Sequence, residues 1–217
     1  MFAGRCASCS HMAMSSTRVQ GTGSVMGHAA GTAAAIAVKN SITPKQVGVL
    51  KIKELQQTLF NDDCYLPWIR QEFSELTKSA RVKASSGNPS PLRDGISRPI
   101  KNNNHRWDCK AGDKVEFLFN KNSFVKDLAI IFDSALSRRI QMSHHYKFDE
   151  LKSPPPELVK EFCIDALLGR KWKRIYRTKD NYQRFVKIPL NKKVKGLRLT
   201  IDKTWGNKTT AISAMYV

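Results

Sequence analysis

The hydrophobic pattern of the chain changes character near residue 85. Before that point the apolar residues recur every three or four positions, which is the spacing of an amphipathic helix. Helices are predicted over three ranges, 24–39, 51–60 and 70–78. The first of these is rich in Ala, the strongest helix former, and carries few residues that resist a helix.

A separate helix start is predicted at Thr43. Thr is a residue type favoured at the N-cap, so Thr43 is the predicted N-cap. Pro44 suits the first helical position, and Gln46 completes the capping-box spacing. The first half of the chain therefore reads as helical.

Beyond residue 85 the pattern consists of short β-type runs separated by loops that carry Gly, Asn, Asp or Pro, with no long helix between them. The predicted strands are 115–119, 128–132, 162–168, 172–178, 185–190, 197–201 and 211–217. This arrangement is typical of an antiparallel β-sandwich. Because turn-forming residues fill 85–91, we place the domain limits at 1–80 and 81–217. The predicted fold class is α+β, with helices first and a β-sandwich second.

The charge of the chain is strongly basic. It carries 37 Lys and Arg against 18 Asp and Glu, a formal net charge of +19, and the second half holds most of the excess. A basic surface attracts polyanions without reading their sequence. Because the basic residues are spread over many short strands, we interpret them as a solubilising surface with both signs interspersed. Nucleic-acid binding is the less favoured interpretation.

Membrane insertion is not expected. The most apolar stretch, 25–38, is too short and too weakly apolar to span a bilayer, which needs about 20 residues. The first residues show no basic segment followed by an apolar one, so no secretory signal is visible. The compartment of the protein stays unassigned.

Three glycines precede the Ala-rich run. Gly21, Gly23 and Gly27 give the spacing G-x-G-x-x-x-G, which is one residue too long for a dinucleotide-binding fingerprint. No acidic residue follows about 20 positions later to bind a ribose, because the first acidic residue of the chain is Glu54. The segment is therefore not a Rossmann motif.

The same segment has a second interpretation. A helix that begins near Thr22 offers unpaired backbone N–H groups and the positive end of its dipole, which stabilise an anion or an electron-rich ring. The lack of any carboxylate before Glu54 suits such a ligand. A Gly- and Ala-rich helix packed closely on a sheet, with no ligand, explains the pattern equally well.

Three segments of the first 34 residues stand in a distinctive order. They are Phe-Ala-Gly-Arg-Cys at 2–6, Ser-Thr-Arg-Val at 16–19 and Met-Gly-His-Ala-Ala-Gly-Thr-Ala-Ala at 26–34. In this order they resemble the closing segment of the FAD-dependent oxidoreductase family, where a strand ending in Ala-Gly-Arg precedes a loop, an Arg-Val pair and such a helix. The family usually has Met-Pro-Thr after Arg-Val, whereas Gln-Gly-Thr stands at 20–22 here.

The resemblance implies FAD as the cofactor and names residues to hold it. Gly4 and Arg5 would end a strand beneath the flavin, and Arg18 would position an anionic substrate or a cofactor oxygen, or else brace its loop. His11 is a candidate acid or base, although a solvated loop histidine is the alternative. Further cofactor-binding residues would present N–H groups to the ring: Thr22, Gly23, Ser24, Val25, Met26 and Gly27.

Motifs of the second half extend the resemblance. They are Asp-Gly-Ile-Ser-Arg-Pro at 94–99, Phe-Asp-Ser-Ala-Leu at 132–136, Pro-Pro-Glu-Leu-Val-Lys at 155–160, Asn-Tyr-Gln-Arg at 181–184 and Thr-Trp-Gly at 204–206. These motifs resemble a galactose-binding-like β-sandwich that often follows the flavin domain of this family. The resemblance therefore covers most of the chain.

The resemblance also implies that much of the enzyme is missing. The family's N-terminal half brings a G-x-G-x-x-G strand, turn and helix for the pyrophosphate, together with the substrate domain, and this sequence contains neither. The chain is thus interpreted as a C-terminal fragment of an FAD-dependent oxidoreductase, with the missing half as its partner and a small molecule or carbohydrate as substrate. The alternative function is a non-enzymatic β-sandwich that binds carbohydrate or a polyanion.

The remaining cysteine, histidine and tryptophan residues give weaker indications of a functional site. Cys6 and Cys9 lack the second pair of ligands that a zinc site needs. A redox pair with the flavin is the alternative, but the resemblance does not demand thiols at both positions, so we favour small buried residues there. His144 and His145 are adjacent and would face opposite sides of a strand, which favours a surface loop over a metal pair. Three tryptophans are predicted to pack in the sandwich core: Trp107, Trp172 and Trp205.

Overall fold

The computed structural model describes residues 1–135 and 153–217, and it divides into two compact units, Met1–Ile69 and Arg70–Val217. The second unit begins before the residue 80 boundary placed by composition, because Ser74 and Thr77 both bond to the carbonyl of Val217. The domain limits 1–80 and 81–217 stay predictions. His144 and His145 lie outside the described residues.

The first unit is helical. It contains a 3₁₀ turn at Gly4–Cys6, then α1 (His11–Thr17), α2 (Gln20–Asn40), α3 (Pro44–Leu50) and α4 (Ile52–Phe60). A small core joins α2 to α3 and consists of Ala33, Ile36, Ala37 and Val47. Within the described part of the chain, no helix has both the length and the apolar character required to cross a membrane.

Helix α2 begins four residues before the predicted position. Val19 is its extended N-cap, so Gly21 and Gly23 lie inside the first turns. Each Gly costs a helix only about 1 kcal/mol relative to Ala, and the Ala-rich residues that follow outweigh that cost. The helix ends at Ser41, which takes a left-handed φ of 53°.

The predicted capping box at the start of α3 is present. The Thr43 hydroxyl accepts the N–H of Gln46 at 3.3 Å, and the Gln46 side-chain oxygen accepts the N–H of Thr43 at 2.8 Å. Pro44 occupies the first helical position. The helix predicted for 51–60 also forms, as α4.

The prediction of a helix over 70–78 is mostly wrong. Only α5 (Glu75–Ser79) forms, with Ser74 as N-cap accepting the N–H of Thr77. The preceding residues are not helical because the Gln71 N–H donates to the carbonyl of Gly95 at 3.0 Å, which a helix would not allow.

In its described residues, the second unit contains seven β-strands. Two are short and were not predicted, β1 (Arg81–Ala84) and β2 (Trp107–Lys110). The others are β3 (Lys114–Phe132), β4 (Val159–Leu168), β5 (Lys171–Thr178), β6 (Phe185–Thr204) and β7 (Thr209–Tyr216). All the pairings are antiparallel, as predicted.

Strands β3 and β6 each replace two predicted strands. Polar residues near the middle of each suggested a break, but β3 and β6 stay paired from Lys114↔Thr200 to Ile131↔Phe185. The register shifts between Leu118 and Ser123, where β3 has extra residues. Such a bulge bends a strand without ending it.

The bend divides the strands between two layers. The first part of β3 pairs with β1 and with the last part of β6, and that part of β6 continues to β4 and β5. The second part of β3 pairs with the first part of β6 and with β7, and β7 pairs with β2. The Phe132 and Phe162 rings, which come from different layers, lie 5.1 Å apart in the core. The unit is therefore an antiparallel β-sandwich.

The tryptophans differ in their burial. Trp107 is in the core, where its indole N–H donates to the carbonyl of Ser86, and Trp205 packs against that core. The prediction for Trp172 is wrong. Side chains of β5 alternate between the two faces of the sheet, and the Trp172 side chain lies on the outer face with its cross-strand partner Leu167. There its half-buried ring lies under the Arg198 guanidinium, whose central carbon is 4.4 Å from the ring centroid.

A row of alternating charges crosses the outer face of the first layer. Adjacent strands pair Lys83 with Glu116, Glu116 with Arg198, Arg198 with Asp165, and Asp165 with Arg174. Burial raises the pKa of the Asp165 carboxyl, but hydrogen bonds from Arg174 and Arg198 outweigh it, and the net pKa is lowered. The buried carboxylate thus stays ionised and joins three strands.

Gly95 occupies a position that no other residue fits. Its φ is +81°, and a Cβ there would lie 2.6 Å from the Gln71 carbonyl oxygen. Gly112 has a similar φ of +92° but open space around it.

The Gly95→Ala variant is expected to lower the free energy of unfolding by about 3 kcal/mol, since backbone strain and steric overlap add. Gly112→Ala is the matched control and should cost only about 1 kcal/mol, for the strain alone. Urea denaturation of both variants measures the difference. Equal losses would show that the contact with Gln71 does not constrain this turn.

Candidate functional site

A cleft of about 310 Å³ lies near the amino end of the first unit. It brings together three of the predicted cofactor-binding residues, Gly4, Arg5 and Arg18. The rest of its lining comes from the 3₁₀ turn, the loop after it and α1: Ala7, Ser8, Cys9, Met14 and Thr17. No acidic residue lines it, so its two guanidinium groups give it a positive charge.

The strand predicted to end at Gly4 and Arg5 does not form. These residues lie in a 3₁₀ turn closed by the Ala7 N–H on the Gly4 carbonyl at 3.2 Å, and Gly4 has a φ of +61°. A strand needs a partner, and residues 1–69 contain no strand to pair with. The turn instead approaches α2, since a Cβ on Gly23 would lie 3.8 Å from the Gly4 Cα.

The amino end of α2 is displaced from the predicted position. Because the helix begins at Gln20, the N–H groups without an intrahelical acceptor belong to Gln20, Gly21 and Thr22. The Gly23 N–H already donates to the Val19 carbonyl at 2.9 Å. The other predicted residues lie inside the helix, where their N–H groups are engaged: Ser24, Val25, Met26 and Gly27. Their role as cofactor-binding residues stays a prediction, without the unpaired N–H groups that suggested it.

His11 does not line this cleft. It is the first residue of α1, a helix that the sequence did not suggest, and it is exposed. Ser10 caps α1 by accepting the Ala13 N–H at 3.3 Å. The acid–base role of His11 stays a prediction.

The cysteines near the cleft are exposed, not buried as predicted. Cys6 and Cys9 both face solvent, and Cys9 accepts a hydrogen bond from the Thr17 hydroxyl at 3.5 Å. They are exposed because none of residues 1–10, which carry both cysteines, is buried. Across residues 1–135 and 153–217, no three His, Cys, Asp or Glu side chains are arranged to hold a metal ion.

Two adjoining clefts lie at one end of the sandwich, and the sequence did not indicate them. They have volumes of about 420 and 450 Å³ and share Arg106, Asp133 and Glu157. We call the first the arginine cleft, because Arg98, Arg106 and Arg184 line it together with Asn104. The second contains more carboxylates.

Hydrogen bonds hold the side chains and loops of the arginine cleft in place. Arg106 donates to Asp133 at 3.0 Å and to Asp108 at 2.8 Å, and Asp133 also accepts the Ala135 N–H. Arg184 donates to two backbone carbonyls, those of Phe132 and Ser97. The end of β3 and the loops before β2 and β6 are held together by these contacts, so the cleft is preformed.

The second cleft contains two groups with shifted pKa values. Burial raises the pKa of the Asp113 carboxyl, but hydrogen bonds from Ser85, Ser86 and the Lys110 N–H outweigh it and lower the pKa overall. Burial, and then the charges of Asp113 and Asp108, raise the pKa of the Cys109 thiol to about 12. Cys109 is therefore a protonated thiol at neutral pH.

Comparison with known families concerns the first unit. Residues 1–59 match the FAD dependent oxidoreductase family. The match covers 59 of the 217 residues and includes the cleft of Gly4, Arg5 and Arg18, so it confirms the resemblance seen in the sequence. None of the curated proteins matches the chain.

Comparison with solved structures concerns the sandwich. The family 32 carbohydrate-binding module of Streptococcus pneumoniae EndoD superposes with a TM-score of 0.50 at 15% identity, covering 66% of this chain and 97% of that one. The family 32 module of C. perfringens NanJ, solved with galactose, gives a TM-score of 0.46 at 10% identity, covering 64% and 92%. The first likeness confirms the galactose-binding-like fold.

The first unit should differ from the sandwich in thiol reactivity. At pH 8, Cys6 and Cys9 are expected to react rapidly with a disulfide reagent, whereas Cys109 stays unreactive because its thiolate is scarce. Reaction progress followed by absorbance measures the fast phase. Cys6→Ser with Cys9→Ser should remove it, and Cys109→Ser should leave it unchanged. A smaller fast phase in Cys109→Ser would contradict the assigned environment.

Proposed function

We propose that the first unit forms one wall of an FAD site in a flavin-dependent oxidoreductase. The observation that carries the proposal is the family match over residues 1–59, which coincides with a cleft lined by Gly4, Arg5 and Arg18. The resemblance had assigned cofactor binding to these three residues.

The residues that line the cleft suit the flavin ring of FAD but not its pyrophosphate. The cleft offers two guanidinium groups and no carboxylate, and the amino end of α2 adds N–H donors nearby. Such donors suit the electron-rich edge of a flavin ring. The 217 residues contain no G-x-G-x-x-G turn for the pyrophosphate, so we infer that a further polypeptide segment completes the site.

The chain's own contribution is electrostatic. Bound FAD supplies the hydride-transfer chemistry. Arg5 and Arg18 hold positive charge at the cleft, and the dipole of α2 acts in the same direction. Gly4, in its left-handed conformation, keeps the turn free of a side chain at the cleft.

The purified chain is expected to carry no stoichiometric flavin absorbance, because the pyrophosphate site is missing. Added FAD should bind weakly and saturably, as measured by the quenching of its fluorescence. Arg5→Ala and Arg18→Ala should each lower this affinity roughly tenfold, since a hydrogen bond to a charged group contributes about 1.5 kcal/mol.

Lys45→Ala is the control for loss of one positive charge, because Lys45 is exposed at the start of α3 and does not line the cleft. Equal affinities for all the variants would reject the cleft as the flavin site. Stoichiometric flavin in the purified chain would reject the inference that a further segment is needed.

A second candidate function belongs to the sandwich. We infer that the arginine cleft binds a neutral sugar, because it combines donors from Arg98 and Asn104 with acceptors from Asp133 and Glu157 at the rim of a preformed hollow. The similar module from Streptococcus pneumoniae is described as carbohydrate-binding, which supports the proposal.

Titration with galactose, N-acetylgalactosamine and glucose tests the second function. At least one sugar is expected to bind with millimolar affinity, and Asn104→Ala should weaken that binding severalfold because it removes a side-chain amide from the cleft. Asn120→Ala, an exposed position on β3 away from the cleft, is the control. Loss of binding in both variants, or no binding of any sugar, would reject the arginine cleft as a sugar site.

A further inference from the structure

Three segments of the second unit contain no acidic residue. They are 117–126, 166–179 and 181–201, and they hold two, six and six Lys and Arg residues respectively. Together they account for 14 of the 37 basic residues in the chain. In the sequence the first segment lies about 40 residues before the second, whereas Asp180 alone separates the second from the third.

The strand pairing brings the three segments together. Phe124 of β3 pairs with Lys193 of β6, and Gly196 of β6 pairs with Leu167 of β4. The end of β4 then turns into β5, where Leu168 pairs with Lys171. Neighbouring strands are about 4.8 Å apart, so the bend of β6 lies between the bulge of β3 and the β4–β5 turn.

Five cations gather at this bend, and we call them the strand-bend patch: Lys121, Arg170, Lys171, Lys193 and Lys195. All five are exposed. None of them forms an ion pair with any of residues 1–135 or 153–217.

Other cations of the same segments are neutralised. Arg198 lies against Asp165 and Glu116, and Arg174 also pairs with Asp165. The strand-bend patch has no such compensation in the part of the chain that the structure describes. Its charge is therefore directed to solvent.

An apolar ring lies beside this charge. The Phe124 side chain is 57% exposed, and its cross-strand partner is Lys193. An aromatic face next to cations suits a ligand with both charged groups and apolar C–H surface.

We propose that the strand-bend patch binds an acidic polysaccharide, a sugar polymer carrying carboxylate or sulfate groups. Unpaired cations spaced along adjacent strands match the repeating charge of such a polymer. The site is separate from the arginine cleft, since Phe124 and Asp133 lie roughly 30 Å apart along β3 at about 3.3 Å per residue. The proposal does not depend on sugar binding in that cleft.

A nucleic acid matches the patch less well. Single-stranded nucleic acids bind on platforms of several aromatic side chains. At the bend, within the described chain, the Phe124 ring is exposed, whereas the Trp172 ring is covered by the Arg198 guanidinium. Duplex DNA is read by a helix or a two-stranded ribbon that enters its major groove, whereas the bend joins three neighbouring strands of a wider sheet. A polymer of charges without bases needs neither feature.

The full chain is tested with dextran sulfate, with uncharged dextran as the ligand control. Dextran sulfate is expected to bind, more weakly as salt is added, and dextran is expected not to bind. Lys193→Glu with Lys195→Glu should lower the affinity for dextran sulfate by at least about tenfold, because the two substitutions reverse charge at the centre of the patch. Lys193→Gln with Lys195→Gln should give an intermediate loss, and thermal unfolding verifies that each variant is folded.

Lys203→Glu with Lys208→Glu is the matched control. It makes the same change in net charge at exposed positions at the far end of β6 and in the loop after it, so its effect should stay below about twofold, as expected for charges separated by more than the screening length of about 10 Å. The proposal is overturned if this control weakens binding as much, if dextran binds as well as dextran sulfate, or if neither binds. Tighter binding of single-stranded DNA, lost in the same Lys193 and Lys195 variant, would replace the polysaccharide by a nucleic acid.

Discussion

The long pairing of β3 with β6, which continues on both sides of a bulge, is the constraint on which the second unit depends. Both strands pass from one layer to the other, so the two layers share one ladder of hydrogen bonds and cannot shift independently. The end of β3 sets the position of Asp133, and the loop before β6 sets that of Arg184. The bend of the same strands exposes Lys193 and Phe124. One pair of strands thus positions both candidate binding surfaces.

Local features of the structure were predictable from the sequence, and features that depend on distant contacts were not. The capping box of Thr43 and Gln46 needs only four residues and was predicted correctly. The arginine cleft depends on Arg106, Asp133 and Arg184, which come together only through the sheet. The acid-free segments were visible in the sequence, but their convergence follows from a register that no local pattern encodes.

In the first unit, too, local features were predictable and features that need a distant partner were not. The family resemblance identified Gly4, Arg5 and Arg18, and the structure places all three around one cleft. The expected strand at Gly4 is absent because a strand requires a neighbour, whereas a turn closes with its own hydrogen bonds. The Ala-rich residues of helix α2 favour a helix locally, so its existence was predicted, whereas its first residue was not, since helix ends are poorly specified by local sequence.

Strand β5 lies at the end of the sheet order, and its outer edge has no strand partner in the described chain. An open edge of this kind can recruit a strand from another molecule and start aggregation. Here the edge carries Lys171, Lys173, Arg174 and Arg177. Two copies approaching edge to edge would bring like charges together, and this repulsion disfavours the pairing of β5 with a strand of a second copy.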